Sequence, residues 1–242
     1  MISIISPVYN SEACLDKLVF KIFQSTKKNF KKIEIVLVDD GSKDNSWKKI
    51  KSLKKKYRFI KGIKLKKNFG QHEAIFTGIK ESSFGIIVVM DCDLQDDPKF
   101  ISKMYDKYIE TNKPIIIKHS YINYSLKNRL VSNLFWYFLS IISLKNFSPY
   151  LGNYLLIDEK IKKKYLKSKS IGYLYGDLIL QKNNFNFIEK KRPFGLRKKT
   201  TYNFRKLINL AIKLILKYNI ISRIFFQFKK KIVKKILIEK II

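Results

Sequence analysis

Residues 86–98 read IIVVMDCDLQDDP, five apolar residues running directly into four carboxylates and a proline. In an extended segment alternate side chains share a face, so Asp91, Asp93 and Gln95 are expected to project together while Cys92 and Leu94 point the other way. Two carboxylates and an amide oxygen are hard donors of the kind that Mg²⁺ or Mn²⁺ takes, with positions left over for water and phosphate oxygens. A cation held by so few protein ligands serves a substrate that brings its own, typically a diphosphate whose leaving-group charge it neutralises. A strand-end turn with solvated acids reads the same way locally, and that alternative stays open. Neither GxxxxGK[ST] nor GxGxxG occurs in the chain, which disfavours kinases and dinucleotide enzymes.

The elements that must carry this cluster follow from the hydrophobic pattern. Short apolar runs alternate with helical periodicity through the first half, as in βαβ units with a mainly parallel sheet. Strands are expected at 2–5, 33–38, 59–65, 86–90 and 114–118. Ser11 is placed to cap a helix bearing Leu15, Leu18, Val19, Ile22 and Phe23, and Pro98 to open the helix after the fourth strand. The polar clusters PVYN, DDGSKDNS, KNFGQHEA and DCDLQDD all fall at strand ends. In an open α/β sheet ligands bind in the crevice outside the carboxyl ends of the strands.

The charge is heavily positive, with 51 Lys and Arg against 19 Asp and Glu and a formal net charge of +32. That balance points to nucleic acid, an anionic membrane or a polyanionic substrate. Only six of the basic residues are arginines, and the excess of Lys, Ile and Asn reads equally as a compositional bias that decorates a solvated surface. A basic nucleic-acid-binding module would leave the acid cluster unexplained and lacks a base-stacking or groove-reading motif, so no nucleic-acid partner is expected. Cys14 and Cys92 are far apart and have no metal-ligand companions, which indicates neither a disulfide framework nor a zinc site and makes a reducing, cytosolic setting the default. The first ten residues read as a strand and not as a signal peptide, and no run reaches the roughly 18 apolar residues of a spanning helix.

Taken together, SPVYN, VDDGSKDNS, NFGQHEAIFTGI and DCDLQDDP, in that order over the first 100 residues, resemble the motif series of family 2 glycosyltransferases with the GT-A fold. Within that family they are most similar to the dolichyl- and polyprenyl-phosphate sugar synthases. The resemblance implies an α/β fold of GT-A type, a Rossmann-like sheet flanked by helices. It also implies a metal-dependent, inverting transfer of a sugar from a nucleotide-diphosphate donor to a polyprenyl phosphate. Carried over by position, Pro7, Tyr9 and Asn10 would line the nucleotide pocket, with Asp39 and Asp40 near base and ribose. Asp91 would lie beside the diphosphate, and Asp93 with Gln95 would hold the metal. Asp39 also reads as a cap of the DGS turn. Asn68 and Gly70 would shape the loop beneath the site, Gly70 through its backbone freedom.

Downstream the pattern departs from the family. LGNYLLIDEKI (151–161) has Asn153 where an Asp is usual and Leu155 where an Arg is usual, and the segment after the fifth strand leaves Lys118, His119 and Arg129 to meet phosphate. KRPFGLRKKTTYNFRKL (191–207) offers Arg192, Arg197 and Lys199 for a diphosphate or lipid-phosphate contact, where a cation would balance leaving-group charge. His72 and His119 read as bland surface residues as readily as functional ones. A lipid phosphate is already anionic, whereas a sugar hydroxyl needs a general base, for which Asp177 in YLYGDLIL is the best-placed spare acid. Transfer to a saccharide hydroxyl in surface polysaccharide or glycolipid assembly is therefore the alternative.

Residues 1–205 are expected to form the catalytic domain and 206–242 an amphipathic basic helical tail on an anionic membrane surface. The segment NLFWYFLSIISL (133–144) reads either as core or as a membrane-dipping helix. The expected location is cytoplasmic, peripheral on the inner face of the plasma membrane.

Overall fold

A mainly apolar strand at the centre of a sheet needs cover on both faces, and β1 (Ile2–Val8) is buried along its whole length, Ser3 and Ser6 included. The computed structural model describes residues 1–120, 126–144, 148, 150–167, 174–180, 184–191 and 238–242. In chain order β1 is followed by α1 (Glu12–Thr26), β2 (Ile33–Asp39), α2 (Ser46–Lys56), β3 (Ile60–Leu65), α3 (Gln71–Glu81), β4 (Ile87–Val89) and α4 (Phe100–Thr111). Then come β5 (Ile115–Ser120), α5 (Leu126–Ser143), β6 (Leu151–Ile157), α6 (Glu159–Lys167), α7 (Leu174–Leu180), β7 (Asn186–Lys191) and β8 (Ile238–Ile241).

The strands form one sheet in the order β7-β5-β6-β4-β1-β2-β3-β8. The β4-β1-β2-β3 centre is parallel, as is the β5-β7 pair. Strand β6 runs antiparallel to both β4 and β5, and β8 antiparallel to β3. The α/β expectation of GT-A type therefore holds.

Side-chain alternation along the strands divides the core in two. Ile4, Ile35, Leu37 and Val88 pack with α1, α2 and α4, while Ile5, Val36, Val38 and Val89 pack with α3, α5, α6 and α7. Pro7 sits in the central strand beyond the last β4 pairing, Ile5 with Val89, where a missing N–H breaks no ladder bond. The sequence direction reverses beside β1, whose neighbours are β2 and β4, so the carboxyl ends of these three strands open onto the crevice at the switch point.

The expected strands are all present, with boundaries shifted by up to three residues; β1, for example, continues from Ile5 to Val8. The end of the chain departs from the helical tail expected for 206–242. Residues 238–241 form an edge strand on β3, closed by mutual backbone bonds between Gly62 and Ile242 at 2.7 Å and by a Lys64–Glu239 ion pair at 2.8 Å. The expected helical stretch from 206 to 237 lies outside the described residues.

Helix α3 owes its position to Gly78. A Cβ at that residue would lie 2.4 Å from Ile5 Cγ2 and 3.2 Å from Val38 Cγ2, so only glycine lets the helix approach the sheet this closely. Gly78→Ala is expected to destabilise the protein by roughly 1–3 kcal/mol through overpacking, read as a lowered denaturant midpoint. Unchanged stability would mean that α3 lifts off the sheet at no cost.

Candidate active site

The loops after β1 and β2 are tied to one another. Asn10, in the left-handed region at φ 48°, donates its N–H to Ser42 Oγ at 3.0 Å, and its Oδ1 accepts the Lys43 N–H at 2.8 Å. Ser11 precedes α1 as expected but does not cap it through its side chain. Its hydroxyl donates to the Tyr9 carbonyl at 3.0 Å. The N–H groups at that end are met across the loops instead, Ser11 N–H by Ser46 Oγ at 2.9 Å and Glu12 N–H by Asp44 Oδ2 at 3.2 Å. Tyr9 is left partly open at the crevice, 37% exposed.

Two adjacent aspartates at the end of β2 do different work. Both oxygens of Asp40 are taken, Oδ1 by the Phe69 N–H at 2.7 Å and Oδ2 by the Gly70 N–H at 2.9 Å, so its side chain holds the turn before α3. Gly70 has φ 102°, the backbone freedom foreseen for it. Asp39 accepts the Ser42 N–H through Oδ1 at 3.2 Å, the turn-capping role, while its Oδ2 is buried and has no hydrogen-bond partner among the described residues. Burial raises the pKa of both carboxyls. Asp40 is pushed from 3.8 to about 6 against the two N–H bonds that oppose the rise, and Asp39 rises against its bonds to Ser42 and the nearby charge of Lys64.

The acid cluster after β4 is not an extended strand. Residues 91–98 turn, Leu94 adopts φ 65°, and the alternate-face argument for Asp91, Asp93 and Gln95 fails because the chain leaves the pleat at Met90. Hydrogen bonds place the same groups instead. Gln71 Nε2 donates to Asp91 Oδ1 at 2.6 Å, the Asp91 N–H donates to Asp96 Oδ2 at 2.9 Å, and the Gln95 N–H donates to Asp93 Oδ1 at 3.0 Å.

Three strands then grip consecutive residues of the loop. Lys190 of β7 donates to the Gln95 carbonyl at 2.7 Å, His119 of β5 brings Nε2 to 3.7 Å from Asp96 Oδ1, and the Tyr154 hydroxyl of β6 donates to the Asp97 carbonyl at 2.7 Å. Gln71, Asp96, Tyr154 and Lys190 were not picked out from sequence. Asp96 was visible as the third acid of the run, whereas Lys190, 95 positions beyond its partner, had no local signal.

Asp93 keeps its second carboxylate oxygen, and Gln95 its side-chain amide, clear of other described residues while both remain only half-buried. These hard donors, with Asp91 adjacent, fit a small divalent cation. Among the described residues no group of three or more His, Cys, Asp or Glu converges on a metal position, so a cation here would complete its shell from water or substrate oxygens.

The other expected residues fall elsewhere. Pro7 is buried in the sheet, near the carboxyl end of β1. Asp177 on α7 is 3% exposed; burial, with the nearby charges of Asp177 and Glu73 adding to it, holds the Tyr165 phenol well above its ordinary pKa. Asp177 thus lies on the α3 face of the sheet, with Glu73 two residues beyond the Gln71 that holds Asp91. Asn153 Oδ1 is buried with no partner among the described residues, and Leu155, where an arginine was sought, is core. Arg129 belongs to α5, but its side chain, like Arg192, Arg197 and Lys199, lies outside the described residues.

A model of the family described as glycosyl transferase family 2 matches residues 3–171. The chain belongs to that family. Among curated relatives, this family 2 chain is 35% identical over 104 residues to the undecaprenyl-phosphate 4-deoxy-4-formamido-L-arabinose transferase of Proteus mirabilis, a stretch covering 43% of the chain and 32% of the relative. It is 27% identical over 219 residues to the protein of the same name from Pectobacterium atrosepticum, covering 88% of the chain and 66% of the relative. The chain therefore spans only a third to two thirds of the length of these relatives. Among solved structures it resembles glucosyl-3-phosphoglycerate synthase of Mycobacterium tuberculosis in complex with Mn²⁺, UDP-glucose and phosphoglyceric acid. The TM-score is 0.61 at 16% identity, over 90% of this chain and 79% of that one, which establishes the shared fold.

Asp40 gives the folded family 2 chain a defined pH response. Its folded pKa, about 6, lies above the ordinary 3.8, so its contribution to stability is complete below pH 3.8 and is lost as pH rises through 6. That loss is on the order of 3 kcal/mol by pH 7.5. Urea midpoints of the parent and Asp40→Asn, compared at pH 4 and pH 7.5, should shift relative to one another in favour of the variant at the higher pH. A difference independent of pH would place Asp40 at an ordinary pKa.

Proposed function

We propose that the protein is a metal-dependent, inverting glycosyltransferase that moves a sugar from a nucleotide-diphosphate donor to a polyprenyl phosphate at the inner face of the plasma membrane. One observation carries the donor site: Asp39 Oδ2, at the carboxyl end of β2, is buried and has no hydrogen-bond partner among the described residues. A buried acceptor left unsatisfied costs about 1–3 kcal/mol, a cost that a donor N–H of a base or a ribose hydroxyl relieves. Asp39 then holds the nucleoside, Tyr9 and Asn10 border it, and Asp40 acts one step removed by fixing the turn into α3.

Asp93 and Gln95 would hold Mg²⁺ or Mn²⁺, which supplies charge neutralisation of the departing diphosphate. Gln71 and Asp96 keep Asp91 and its backbone in place beside it. The acceptor phosphate is anionic at neutral pH, so its oxygen forms the new bond to the anomeric carbon while the bond to the diphosphate breaks on the opposite face, with inversion and without a general base. The names of the Proteus and Pectobacterium relatives, both undecaprenyl-phosphate transferases, support this acceptor class. Arg129 and Arg192 are the proposed phosphate contacts.

A second reading, transfer to a saccharide hydroxyl, is favoured by the buried carboxylate of Asp177 on the α3 face, where it would serve as the base.

Label from a panel of nucleotide-sugars, supplied with Mg²⁺ or Mn²⁺ and polyprenyl phosphate, is expected in the organic phase and is expected to vanish with chelator. Transfer only to added saccharides would reject the lipid acceptor. Asp93→Ala should remain folded and lose metal-dependent nucleotide binding by tenfold or more, measured calorimetrically; unchanged binding removes Asp93 from the site. Asp177→Asn should leave transfer to lipid phosphate intact, whereas loss of transfer to a saccharide would support the second reading.

A further inference from the structure

Among the described residues two lysines are buried, Lys162 of α6 and Lys190 of β7, and each gives its ammonium to a backbone carbonyl. An ammonium costs more to bury than a neutral donor, so what its charge faces is informative. Lys162 meets the Ser82 carbonyl at 2.8 Å, just before the amino end of β4. Lys190 makes the same kind of bond beyond the carboxyl end of that strand, to the Gln95 carbonyl at 2.7 Å. There it lies below a loop carrying four carboxylates, Asp91, Asp93, Asp96 and Asp97, whose mutual repulsion a nearby positive charge offsets.

The residue that Lys190 holds is fixed at both ends. The Gln95 N–H donates to Asp93 Oδ1 at 3.0 Å while its carbonyl accepts from the ammonium, so Asp93, Gln95 and Lys190 form one chain of hydrogen bonds. Between the two loop residues Leu94 sits at φ 65°, a conformation that a bulky side chain adopts only when its surroundings impose it. The register of β7 on β5, from Ile115–Asn186 to Ser120–Lys191, sets Lys190 beside His119, which reaches Asp96 of the same loop. A slip of one residue would turn Lys190 to the other face of the sheet. Lys118 and Glu189, the pair one position earlier, are ion-paired at 2.8 Å and pin that register.

We infer that Lys190 is a positioning residue for the acidic loop, an internal cation that sets Asp93 and Gln95 in the arrangement a divalent cation needs before that cation arrives. Groups that orient metal donors in this way govern metal affinity without touching the metal. That the loop takes a metal rests on the function proposed above; that Lys190 holds the loop does not.

The test titrates Mn²⁺ into the full chain, alone and with each of a panel of nucleoside diphosphates, and reads free Mn²⁺ by electron paramagnetic resonance. Lys190→Met is expected to raise the Mn²⁺ half-saturation about tenfold, with full occupancy regained at high Mn²⁺, and Lys190→Arg to restore most of the loss. Lys162→Met, which removes the matching bond at the other end of the sheet, should leave the half-saturation unchanged. With no metal present, hydrogen exchange at the amides of 91–97 should be faster in Lys190→Met than in the parent; Lys190→Gln takes its place if the methionine variant does not fold. Equal, measurable Mn²⁺ affinity in the parent and Lys190→Met, the same loss in Lys162→Met, or unchanged exchange at 91–97 would each overturn the inference. A parent that holds no Mn²⁺ with any diphosphate would reject the metal reading, and faster exchange in Lys190→Met would still support the positioning role.

Discussion

Asp40 ties the two halves of the crevice together. Its carboxylate, nearly out of contact with water at the end of β2, accepts the N–H groups of Phe69 and Gly70 and so fixes where α3 begins. The first residue of α3 is Gln71, whose amide holds Asp91 after β4, and Asp91 in turn binds Asp96 through its backbone. One buried carboxylate thus sets the relation between the β2 loop, where Asp39 Oδ2 has no partner among the described residues, and the acidic loop. The energetic penalty of that burial appears as the raised pKa, and the two backbone bonds offset part of it.

The acidic loop is irregular, and irregular backbone holds one shape only when its surroundings over-determine it. Here β7, β5 and β6 each contribute one side chain to Gln95, Asp96 and Asp97 in succession. Lys190 is the least expected of these, a lysine with only 6% of its surface exposed, whose ammonium donates to a carbonyl and lies 5.4 Å and 5.8 Å from the ring centroids of Phe100 and Tyr154. Its interaction with those rings and the carbonyl compensates for the lost hydration. Around this site the large positive charge of the chain is background: the local chemistry is that of carboxylates.

The sheet order and the roles of individual acids differ in how far they could be read from the chain. The central strands β1, β2 and β4 announced themselves as mainly apolar runs closed by polar residues, because a strand covered on both faces has little room for polarity until it ends, whereas β3, nearer the sheet edge, carries Lys61 and Lys64. The edge strand β8 did not, since its four residues gain their conformation only by pairing with β3, far away in sequence. Asp39 and Asp40 look equivalent as neighbours in VDDGS. Which of them keeps an oxygen without a hydrogen-bond partner among the described residues depends on which one the Phe69–Gly70 turn approaches, and that is a packing outcome.

By itself, the sequence determined the alternating βαβ plan, the placement of every polar cluster at a strand end, the family, and the hard-oxygen character of residues 91–95. These are properties of local periodicity and residue type, which survive without knowledge of neighbours. Tertiary structure decided that residues 91–98 turn instead of extending, that Asp40 is a clamp and Pro7 a buried residue of the sheet, and that Lys190, His119 and Tyr154 converge on one loop. Each of these depends on contacts between residues far apart in the chain, and the free energy that selects them comes from burying apolar surface and satisfying polar groups together, which no single stretch of sequence contains.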